Sequence, residues 1–290
     1  MIERPEQSAA AAERLIQMAL TEDIGSGDVT TVALVPEAAK AAAALVARDE
    51  GILCGVHIAS AVFRQLDPLA TVKICVTEGA HVSRGEMILQ VRGHARALLS
   101  AERVALNFVQ RLSGIATRTA AYCDRVSDLP VVILDTRKTA PGWRLLDKYA
   151  VCCGGGQNHR MGLYDRIMIK DNHLAFWLSG QERTIAGAIQ AARARFPEIP
   201  VQVEIDHESQ LDEVLTAAPD WVLLDNMTPD QVRACVERCG GQIKTEVSGG
   251  ITLDTVRAYA EAGPTALSIG ALTHSVEAFD CALDWDETVR

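Results

Sequence analysis

The feature that most constrains the fold is a repeated alternation of short apolar segments with helical segments, which begins near residue 131. Such alternation is typical of parallel strands, because each strand returns to the same edge of the sheet through a covering helix. The six predicted strands are Val131–Leu134, Arg166–Ile169, Val201–Ile205, Trp221–Leu224, Ile243–Val247 and Ala266–Ile269. The second half of the chain is therefore predicted to be α/β, either an open doubly wound sheet or a barrel.

A barrel is favoured, because polar, charged or glycine residues follow nearly every strand rather than one switch point. The carboxyl ends of barrel strands form one rim, where the active site lies. A lone charge after a strand is more often a solvated loop residue, but its recurrence at six strand ends favours a functional site. These residues are Asp135, Arg137, Lys138, Lys170, Glu204, Asp225, Asn226, Ser248, Gly249, Gly250 and Gly270.

The first hundred residues lack this alternation and predict a separate domain. A long amphipathic helix, with apolar residues at three- and four-residue spacings, then leads into the barrel. The predicted elements are a helix over Ala9–Thr21, strands near Ala42–Arg48 and Val72–Thr77, a hairpin over Glu78–Leu89, and the long helix from Leu98 to about Arg125. The predicted domains are residues 1–115 and 116–274, with residues 275–290 packing back on the first.

Composition excludes several classes of function. The formal net charge is −10, so neither nucleic acid nor an anionic membrane is an expected partner, because such surfaces attract a basic excess. No apolar run is long enough to span a membrane, and the charged N-terminus does not resemble a signal peptide, so a cytoplasmic location is predicted. The eight cysteines form no paired CxxC motifs and are predicted to be reduced thiols. Cys235 and Cys239 lie one helical turn apart, but no further ligands accompany them, so structural zinc is not expected.

Basic strand-end residues form a cluster in this acidic chain. Arginine binds carboxylates and phosphates through paired hydrogen bonds, so several converging cations predict a substrate with more than one negative group. A histidine beside an arginine can equally be a structural hydrogen-bonding residue. The cluster comprises Arg137, Lys138, His159, Arg160 and Lys170, with Arg103 at the start of the long helix.

Two acidic residues, Glu204 and Asp225, follow neighbouring strands. Carboxylates that act together with substrate phosphates are the usual ligands of magnesium, which favours a ligand that bears pyrophosphate. The same pair could instead act as general acid and base, or stabilise a cationic sugar-like transition state. The turns Ser248-Gly249-Gly250 and Ile269-Gly270-Ala271 precede helices and predict phosphate-binding backbone.

Four motifs resemble the quinolinate phosphoribosyltransferase family, and the resemblance covers essentially the whole chain. They are TEDIGSGDVTT (residues 21–31), NFVQRLSGIAT (107–117), DTRKT (135–139) and, most specifically, GGGQNHRMGLYDRIMIKDNH (154–173). The later stretches at 203–204, 224–226, 246–251 and 268–272 also match in order. Ala140 and Trp143 depart from the family, which more often has leucine there, and this concerns loop packing rather than chemistry.

The resemblance implies an N-terminal open α/β sandwich and a C-terminal irregular α/β (TIM-like) barrel of a type II phosphoribosyltransferase. It implies transfer of the phosphoribosyl group of phosphoribosyl pyrophosphate to quinolinate, with loss of carbon dioxide and pyrophosphate, to give nicotinate mononucleotide for de novo NAD biosynthesis. It also implies a homodimer, with a hexamer left open, in which the N-terminal region of one subunit caps the barrel of the other and Arg103 reaches across.

Residue roles follow from the same resemblance. The residues implied to bind quinolinate are Arg103, Thr136, Arg137, His159, Arg160 and Lys170. Those implied to bind phosphoribosyl pyrophosphate are Lys138, Glu204, Asp225, Ser248, Gly249, Gly250, Ile269, Gly270 and Ala271. Lys138, Glu204 and Asp225 are the implied catalytic residues, and Glu204 and Asp225 would hold Mg²⁺ directly or through water.

Three other functions remain open at this point. A related phosphoribosyltransferase could use nicotinate or another acceptor, although a monocarboxylate would need fewer cations. A non-catalytic sugar-phosphate-binding protein would keep the glycine turns but break the charged set, which is complete here. A metal-dependent barrel aldolase or decarboxylase would require a Schiff-base lysine or several histidine ligands, and neither is evident.

Overall fold

The computed structural model describes residues 5–178 and 184–286. The chain divides into two compact units, the first formed by residues 1–120, 139–155 and 271–290 and the second by residues 121–138 and 156–270. The predicted α/β class, with a parallel sheet in the second half, is confirmed. Among the described residues, no helix combines the length and the apolar character needed to cross a bilayer.

The helices and strands are numbered in chain order. The helices are α1 (Pro5–Ile24), α2 (Val29–Leu34), α3 (Val56–Leu66), α4 (Ala95–Arg125), α5 (Arg144–Cys153), α6 (Asp171–Leu178), α7 (Ile185–Arg195), α8 (Leu211–Ala217), α9 (Pro229–Cys239), α10 (Val256–Glu261) and α11 (Ala271–His274). The strands are β1 (Lys40–Ala47), β2 (Gly51–Ile52), β3 (Thr71–Ile74), β4 (His81–Val82), β5 (Met87–His94), β6 (Val132–Leu134), β7 (Ile167–Ile169), β8 (Val201–Ile205), β9 (Trp221–Asp225), β10 (Lys244–Ser248), β11 (Ala266–Ser268) and β12 (Cys281–Trp285).

The first unit contains an antiparallel sheet with the strand order β12-β1-β5-β3. The C-terminal strand β12 pairs with β1, from Ala43 opposite Trp285 to Ala47 opposite Cys281. Helix α3 buries Val56, Ala59, Val62 and Phe63, a three- and four-residue spacing that gives the helix one apolar face. The domain boundary predicted at residues 115–116 lies inside α4, which runs unbroken through it, and that boundary stays a prediction.

The predicted hairpin over Glu78–Leu89 is wrong. Strand β4 pairs with β2, whereas β5 pairs with β1 and β3. A turn separates β4 from β5, because the Glu86 carboxylate accepts the Ser83 amide at 3.0 Å and the Ser83 carbonyl accepts the Glu86 amide at 3.0 Å. The glycine and valine pattern correctly indicated turns and strands, but partner choice depends on segments distant in sequence.

The second unit contains a parallel sheet with the strand order β6-β11-β10-β9-β8-β7. All six strands predicted from the sequence are present, each within one residue of its predicted ends. Leu134 at the end of β6 also forms a parallel bridge with Gln157, which brings the glycine-rich segment to the edge of the sheet. Apolar residues such as Val203, Val222 and Val247 are fully buried, as expected for strands covered by helices.

Local sequence signals start and stop the returning helices. Helix α9 begins at a capping box in which the Thr228 hydroxyl accepts the Gln231 amide and the Gln231 side chain accepts the Thr228 amide at 2.9 Å. Proline at the first position, Pro229, has no amide hydrogen to leave unsatisfied. The helix ends at Gly240, whose φ of 56° lies in the left-handed region.

Candidate active site

Side chains from the carboxyl ends of the parallel strands line one cavity of about 250 Å³ in the second unit. Neighbouring strands place them side by side, because Ser248 pairs in register with Asp225 on β9 and with Ser268 on β11. The sequence-predicted residues that line this cavity are Thr136, Arg137, Lys138, His159, Arg160, Lys170, Glu204, Asp225 and Ser248. The strand-end residues inferred from the sequence therefore line a concave site, in a sheet whose edge strands β6 and β7 are not paired with each other in the described structure.

The other predicted site residues are not among the described residues that line the cavity. Gly249 and Gly250 follow β10, and Ile269 and Gly270 follow β11, immediately beyond the lining serines. Ala271 begins α11, and Arg103 lies on α4 in the first unit with its side chain exposed.

Four lining residues were missed by reasoning from the sequence: Met168, Leu223, Glu246 and Ser268. Side chains two residues apart share a face of a strand. Met168, Leu223 and Glu246 therefore point to the same side as Lys170, Asp225 and Ser248. Counting back two residues from each strand end is the signal that would have found these three.

Asp135 organises the segment that carries His159 and Arg160. This carboxylate has no solvent exposure, and it accepts hydrogen bonds from the Asn158 side-chain amide at 2.7 Å and from the His159 backbone amide at 2.8 Å. The backbone of the same segment is paired to β6, since the Gln157 amide donates to the Ile133 carbonyl at 2.9 Å. Asp135 therefore acts by fixing a loop, rather than by facing the cavity.

Both ring nitrogens of His159 have protein partners. Nδ1 accepts the Arg160 backbone amide at 2.6 Å, so the ring proton of the neutral imidazole belongs on Nε2. Nε2 lies 3.2 Å from a carboxylate oxygen of Glu246, which is the natural acceptor for that proton. His159 is 5% exposed. The structural interpretation of this histidine, one of the two left open by the sequence, is the one that these contacts support.

Glu246 is a buried carboxylate at the base of the cavity, with 1% exposure. Burial alone would raise its pKa, but the hydrogen bond from His159, with further hydrogen bonds from Gln202 and Ser268, holds the pKa below its ordinary value. The Gln202 amide donates to Glu246 at 2.9 Å. Arg166 lies 3.8 Å from the same carboxylate. Glu246 is therefore an ionised carboxylate that lies beside His159 and Arg166.

We call Arg137 and Arg160 the cationic wall of the cavity, and their two positive charges repel each other. Burial, followed by the charge of Arg137, lowers the pKa of Arg160. Arg160 donates to the Arg166 carbonyl at 3.0 Å. The Nε of Arg137 is buried and has no hydrogen-bond partner within the described part of the chain. A buried guanidinium N–H without an acceptor is costly, and a negatively charged ligand in the cavity could supply that acceptor.

We call Glu204 and Asp225, which also line the cavity, its acidic wall. Lys170 forms an ion pair with Glu204. Burial raises the pKa of Asp225, and the charges of Lys170 and Lys138 oppose that rise. Asn226 donates its side-chain amide to the Asp225 carboxylate at 2.7 Å. Cations and carboxylates thus face one space, an arrangement that can bind a polyanion and stabilise positive charge next to it.

Gly249 occupies a position that requires glycine. Its φ is +105°, and a Cβ built on it would lie 2.1 Å from the side-chain oxygen of Asn226. The two loops are held together, since the Asn226 amide donates to the Ser248 carbonyl at 2.9 Å. The loop after β10 therefore lies directly against the loop that follows Asp225.

Two family models together match most of the chain. The model described as the quinolinate phosphoribosyl transferase C-terminal domain matches residues 115–284, and that of the N-terminal domain matches residues 28–113. The first covers both walls of the cavity. The second covers the antiparallel sheet except β12.

Individual proteins match over nearly the full length. A probable nicotinate-nucleotide pyrophosphorylase (carboxylating) of Bacillus subtilis is 43% identical over 272 residues, which cover 94% of this chain and 92% of that protein. The nicotinate-nucleotide pyrophosphorylase (carboxylating) of Mycobacterium leprae is 42% identical over 280 residues, 94% of this chain and 97% of that protein. The solved structure of the nicotinate-nucleotide pyrophosphorylase from Francisella tularensis superposes with a TM-score of 0.90 at 36% identity and covers 96% of each chain.

Proposed function

The chain belongs to the quinolinate phosphoribosyltransferase family, and we propose that its cavity transfers the phosphoribosyl group of phosphoribosyl pyrophosphate to quinolinate. Pyrophosphate and carbon dioxide leave, and the product is nicotinate mononucleotide, a precursor in de novo NAD biosynthesis. The observation that carries this proposal is that one cavity contains both the arginines and the carboxylates Glu204 and Asp225. The buried Nε of Arg137 has no partner among the residues that the structure describes.

The cationic wall is suited to quinolinate because that substrate bears two adjacent carboxylates. Arg137 and Arg160 supply forked donors, and Thr136 adds a hydroxyl at the same edge of the cavity. Lys170, which pairs with Glu204, adds positive charge to the same cavity. His159 contributes through position, since its ring holds the Arg160 backbone on one side and Glu246 on the other.

The acidic wall is suited to the reacting sugar. Cleavage at the anomeric carbon builds oxocarbenium-like positive charge on the ring, which nearby carboxylates stabilise, while Lys138 stabilises the negative charge that builds on the departing pyrophosphate. Attachment of the pyridine nitrogen to the sugar makes the ring cationic. That positive charge stabilises the carbanion left by loss of carbon dioxide, so decarboxylation follows transfer.

Two turns beyond the cavity lining suit the phosphate groups. Ser248 and Gly249 begin one of them, and Ile269 and Gly270 form the other, continued by Ala271. Gly249 and Gly250 both have positive φ, a backbone conformation that other residues do not readily adopt. Successive amides in such a turn can donate to one anion. These turns are proposed to bind the phosphates of phosphoribosyl pyrophosphate.

The donor set fits magnesium held together with a substrate. Glu204 and Asp225 are two carboxylates on neighbouring strands, too few for a complete protein cage but suited to an ion that keeps water and phosphate ligands. When bound, Mg²⁺ would neutralise part of the negative charge of the pyrophosphate. The raised pKa of Asp225 also fits, because a cation nearby would favour its ionised form.

We further propose a homodimer, with a hexamer as the open alternative, in which Arg103 serves the neighbouring subunit's site. The exposed position of Arg103 on α4, outside the unit that holds the cavity, supports this proposal. A cytoplasmic location is proposed as well, and the eight cysteines, all free thiols, are consistent with it.

The decisive assay supplies the purified chain with Mg²⁺, phosphoribosyl pyrophosphate and carboxyl-labelled quinolinate, with nicotinate in a parallel reaction. We expect labelled carbon dioxide and mononucleotide to appear together from quinolinate alone. Product from nicotinate alone would reassign the protein to a non-decarboxylating phosphoribosyltransferase. No product from either acceptor, despite binding of phosphoribosyl pyrophosphate, would contradict the proposal.

A further inference from the structure

Three side chains with reactive or ligating atoms converge in the first unit and share no residue with the cavity. Cys54 lies between β2 and α3, Glu78 precedes β4, and Cys153 is the last residue of α5. The two sulfurs and a carboxylate oxygen all lie within 4.8 Å of one another. Tyr149, one helical turn before Cys153, donates a hydrogen bond to the Cys153 sulfur. Neither cysteine is in a disulfide.

The Cys54 side of the cluster is rigidly held. The Ser113 hydroxyl accepts the Cys54 amide at 2.9 Å and donates to the Cys54 carbonyl at 3.0 Å. The Glu78 carboxylate accepts the Gly55 amide at 2.8 Å and the His57 amide at 3.2 Å. Cys54 itself has no solvent exposure.

The Cys153 side is fixed by close packing of the end of α5. A Cβ on the next residue, Gly154, would lie 2.3 Å from the Ala116 carbonyl oxygen and 2.7 Å from Thr119. Cys153 itself remains partly exposed. The two sulfurs therefore approach each other because their backbones are positioned, with one sulfur buried and the other accessible to a small solute.

The two thiols differ in acidity. The hydrogen bond from Cys54 lowers the pKa of Cys153, and the Tyr149 hydroxyl adds to this effect, whereas burial and Glu78 oppose it. Burial raises the pKa of Cys54 well above its ordinary value, with further contributions from Cys153 and Glu78. Cys153, the partly exposed residue, is thus the more acidic of the two thiols, and Cys54, the buried one, is the less acidic.

We propose that Cys54 and Cys153 are a reversible peroxide-reactive thiol pair, in which Cys153 is oxidised first and Cys54 then closes a disulfide. A partly exposed cysteine with an adjacent resolving cysteine is the arrangement that redox-sensitive sites share. Cys75 is exposed and its thiol donates to the Lys73 carbonyl at 3.8 Å, so it serves to test whether exposure alone makes a cysteine reactive.

The chemistry balances with hydrogen peroxide as the oxidant. The Cys153 thiolate attacks one peroxide oxygen, the O–O bond breaks, and sulfenic acid and hydroxide form. Glu78 takes the Cys54 proton, the Cys54 sulfur attacks the sulfenic sulfur, and hydroxide leaves as the S–S bond forms. The proton that Cys153 released when it ionised and the Cys54 proton held by Glu78 convert the two hydroxides to water, so two thiols and one peroxide give one disulfide and two waters.

A zinc site is the competing use of the same atoms, and the number of ligands favours the thiol pair. The described residues of the cluster supply three ligands from Cys, His, Asp or Glu, whereas a structural zinc site closes with four.

The test treats the reduced, desalted full chain with hydrogen peroxide, blocks the remaining thiols and maps the peptides by mass spectrometry. We expect a Cys54–Cys153 cross-linked peptide, loss of two thiols for each peroxide consumed, and full recovery with dithiothreitol. Cys54→Ser should stop at a sulfenic acid on Cys153 that a 1,3-diketone probe traps. Cys153→Ser should give neither product. Cys75→Ser, the matched control, should keep both the cross-link and its rate.

Two outcomes would overturn the proposal. One is oxidation of Cys75 with no Cys54–Cys153 peptide at any peroxide concentration. The other is one equivalent of zinc on the purified chain that protects both thiols and is lost in Cys54→Ser and Cys153→Ser. The wild-type peptide map decides between pairing and no pairing even if a variant does not fold.

Discussion

At the scale of single residues, the cavity contains two kinds of polar side chain. One kind lacks a hydrogen-bond partner among the described residues until a ligand binds, and the other kind is paired with protein atoms. The buried Nε of Arg137 has no partner within the described chain, whereas His159 and Glu246 satisfy each other. The first kind of residue should affect substrate binding alone. The second kind should affect folding as well, because its partners are protein atoms.

Arg137→Ala is expected to raise the KM for quinolinate and leave the KM for phosphoribosyl pyrophosphate nearly unchanged. Loss of a charged hydrogen-bond donor costs about 2–3 kcal/mol, or roughly 30- to 150-fold in affinity. Steady-state kinetics with each substrate varied in turn checks this. Lys138→Ala should show the opposite selectivity, and a thermal midpoint that fell sharply in Arg137→Ala would contradict the assignment to binding.

Glu246→Gln should lower the free energy of unfolding at neutral pH by about 1–3 kcal/mol, because a charged hydrogen bond to His159 is weakened. The pKa of Glu246 is held below its ordinary value of 4.5. The carboxylate therefore stabilises the fold above that pH, and this stabilisation is lost as the pH falls through the lower folded value.

Urea unfolding at a series of pH values measures both effects. The wild type should lose more stability on acidification below 4.5 than Glu246→Gln does. Identical pH dependence in the two proteins would show that the pKa of Glu246 is the same in the folded and unfolded states, which would contradict the lowered pKa.

At the scale of elements, the loops that follow β9 and β10 depend on each other. Ser248 accepts the Asn226 amide, and Asn226 has a positive φ of 55°. The loops share their space so closely that one position tolerates no side chain. The glycine turn after β10 and the loop beside Asp225 thus form one structural feature.

Gly249→Ala should destabilise the protein by roughly 1–3 kcal/mol and weaken the binding of phosphoribosyl pyrophosphate, because the new methyl group collides with Asn226. Gly250→Ala is the matched control, since φ is +62° there but nothing lies within 4 Å of its Cβ position. Thermal unfolding and calorimetric titration compare the two variants. Equal losses in both would attribute the effect to backbone strain rather than to the contact with Asn226.

At the scale of the whole molecule, the question is whether one chain suffices for a complete site. The cavity residues all lie in the second unit, whereas the predicted ligand Arg103 lies in the first. If Arg103 acts across subunits, activity requires two copies. That requirement can be tested without a structure of the assembly.

Arg103→Ala and Lys138→Ala subunits should each be nearly inactive alone and recover activity when unfolded, mixed and refolded together. In a mixed dimer, the site with an intact Lys138 receives Arg103 from its neighbour. Random pairing predicts recovery of roughly a quarter of the wild-type activity. No recovery, with dimers verified by their mass, would place Arg103 in the site of its own subunit.

The sequence by itself determined the class of the fold and most of the charged residues that line the cavity. Period and composition are local properties, so six strand segments could be located to within a residue, and the strand ends then identified Lys170, Glu204 and Asp225. The glycine-loop motif, by resemblance, pointed to the family that the full-length matches later showed.

Tertiary structure alone decided which segments pair and which charges meet. The false hairpin shows this, because β4 and β5 find their partners in β2 and in β1 and β3. The ring orientation of His159 likewise depends on Glu246, 87 residues further along the chain. Cys54 and Cys153 approach each other only after three separate segments pack. Contacts of this kind depend on the summed packing of distant elements, which no local pattern in the sequence records.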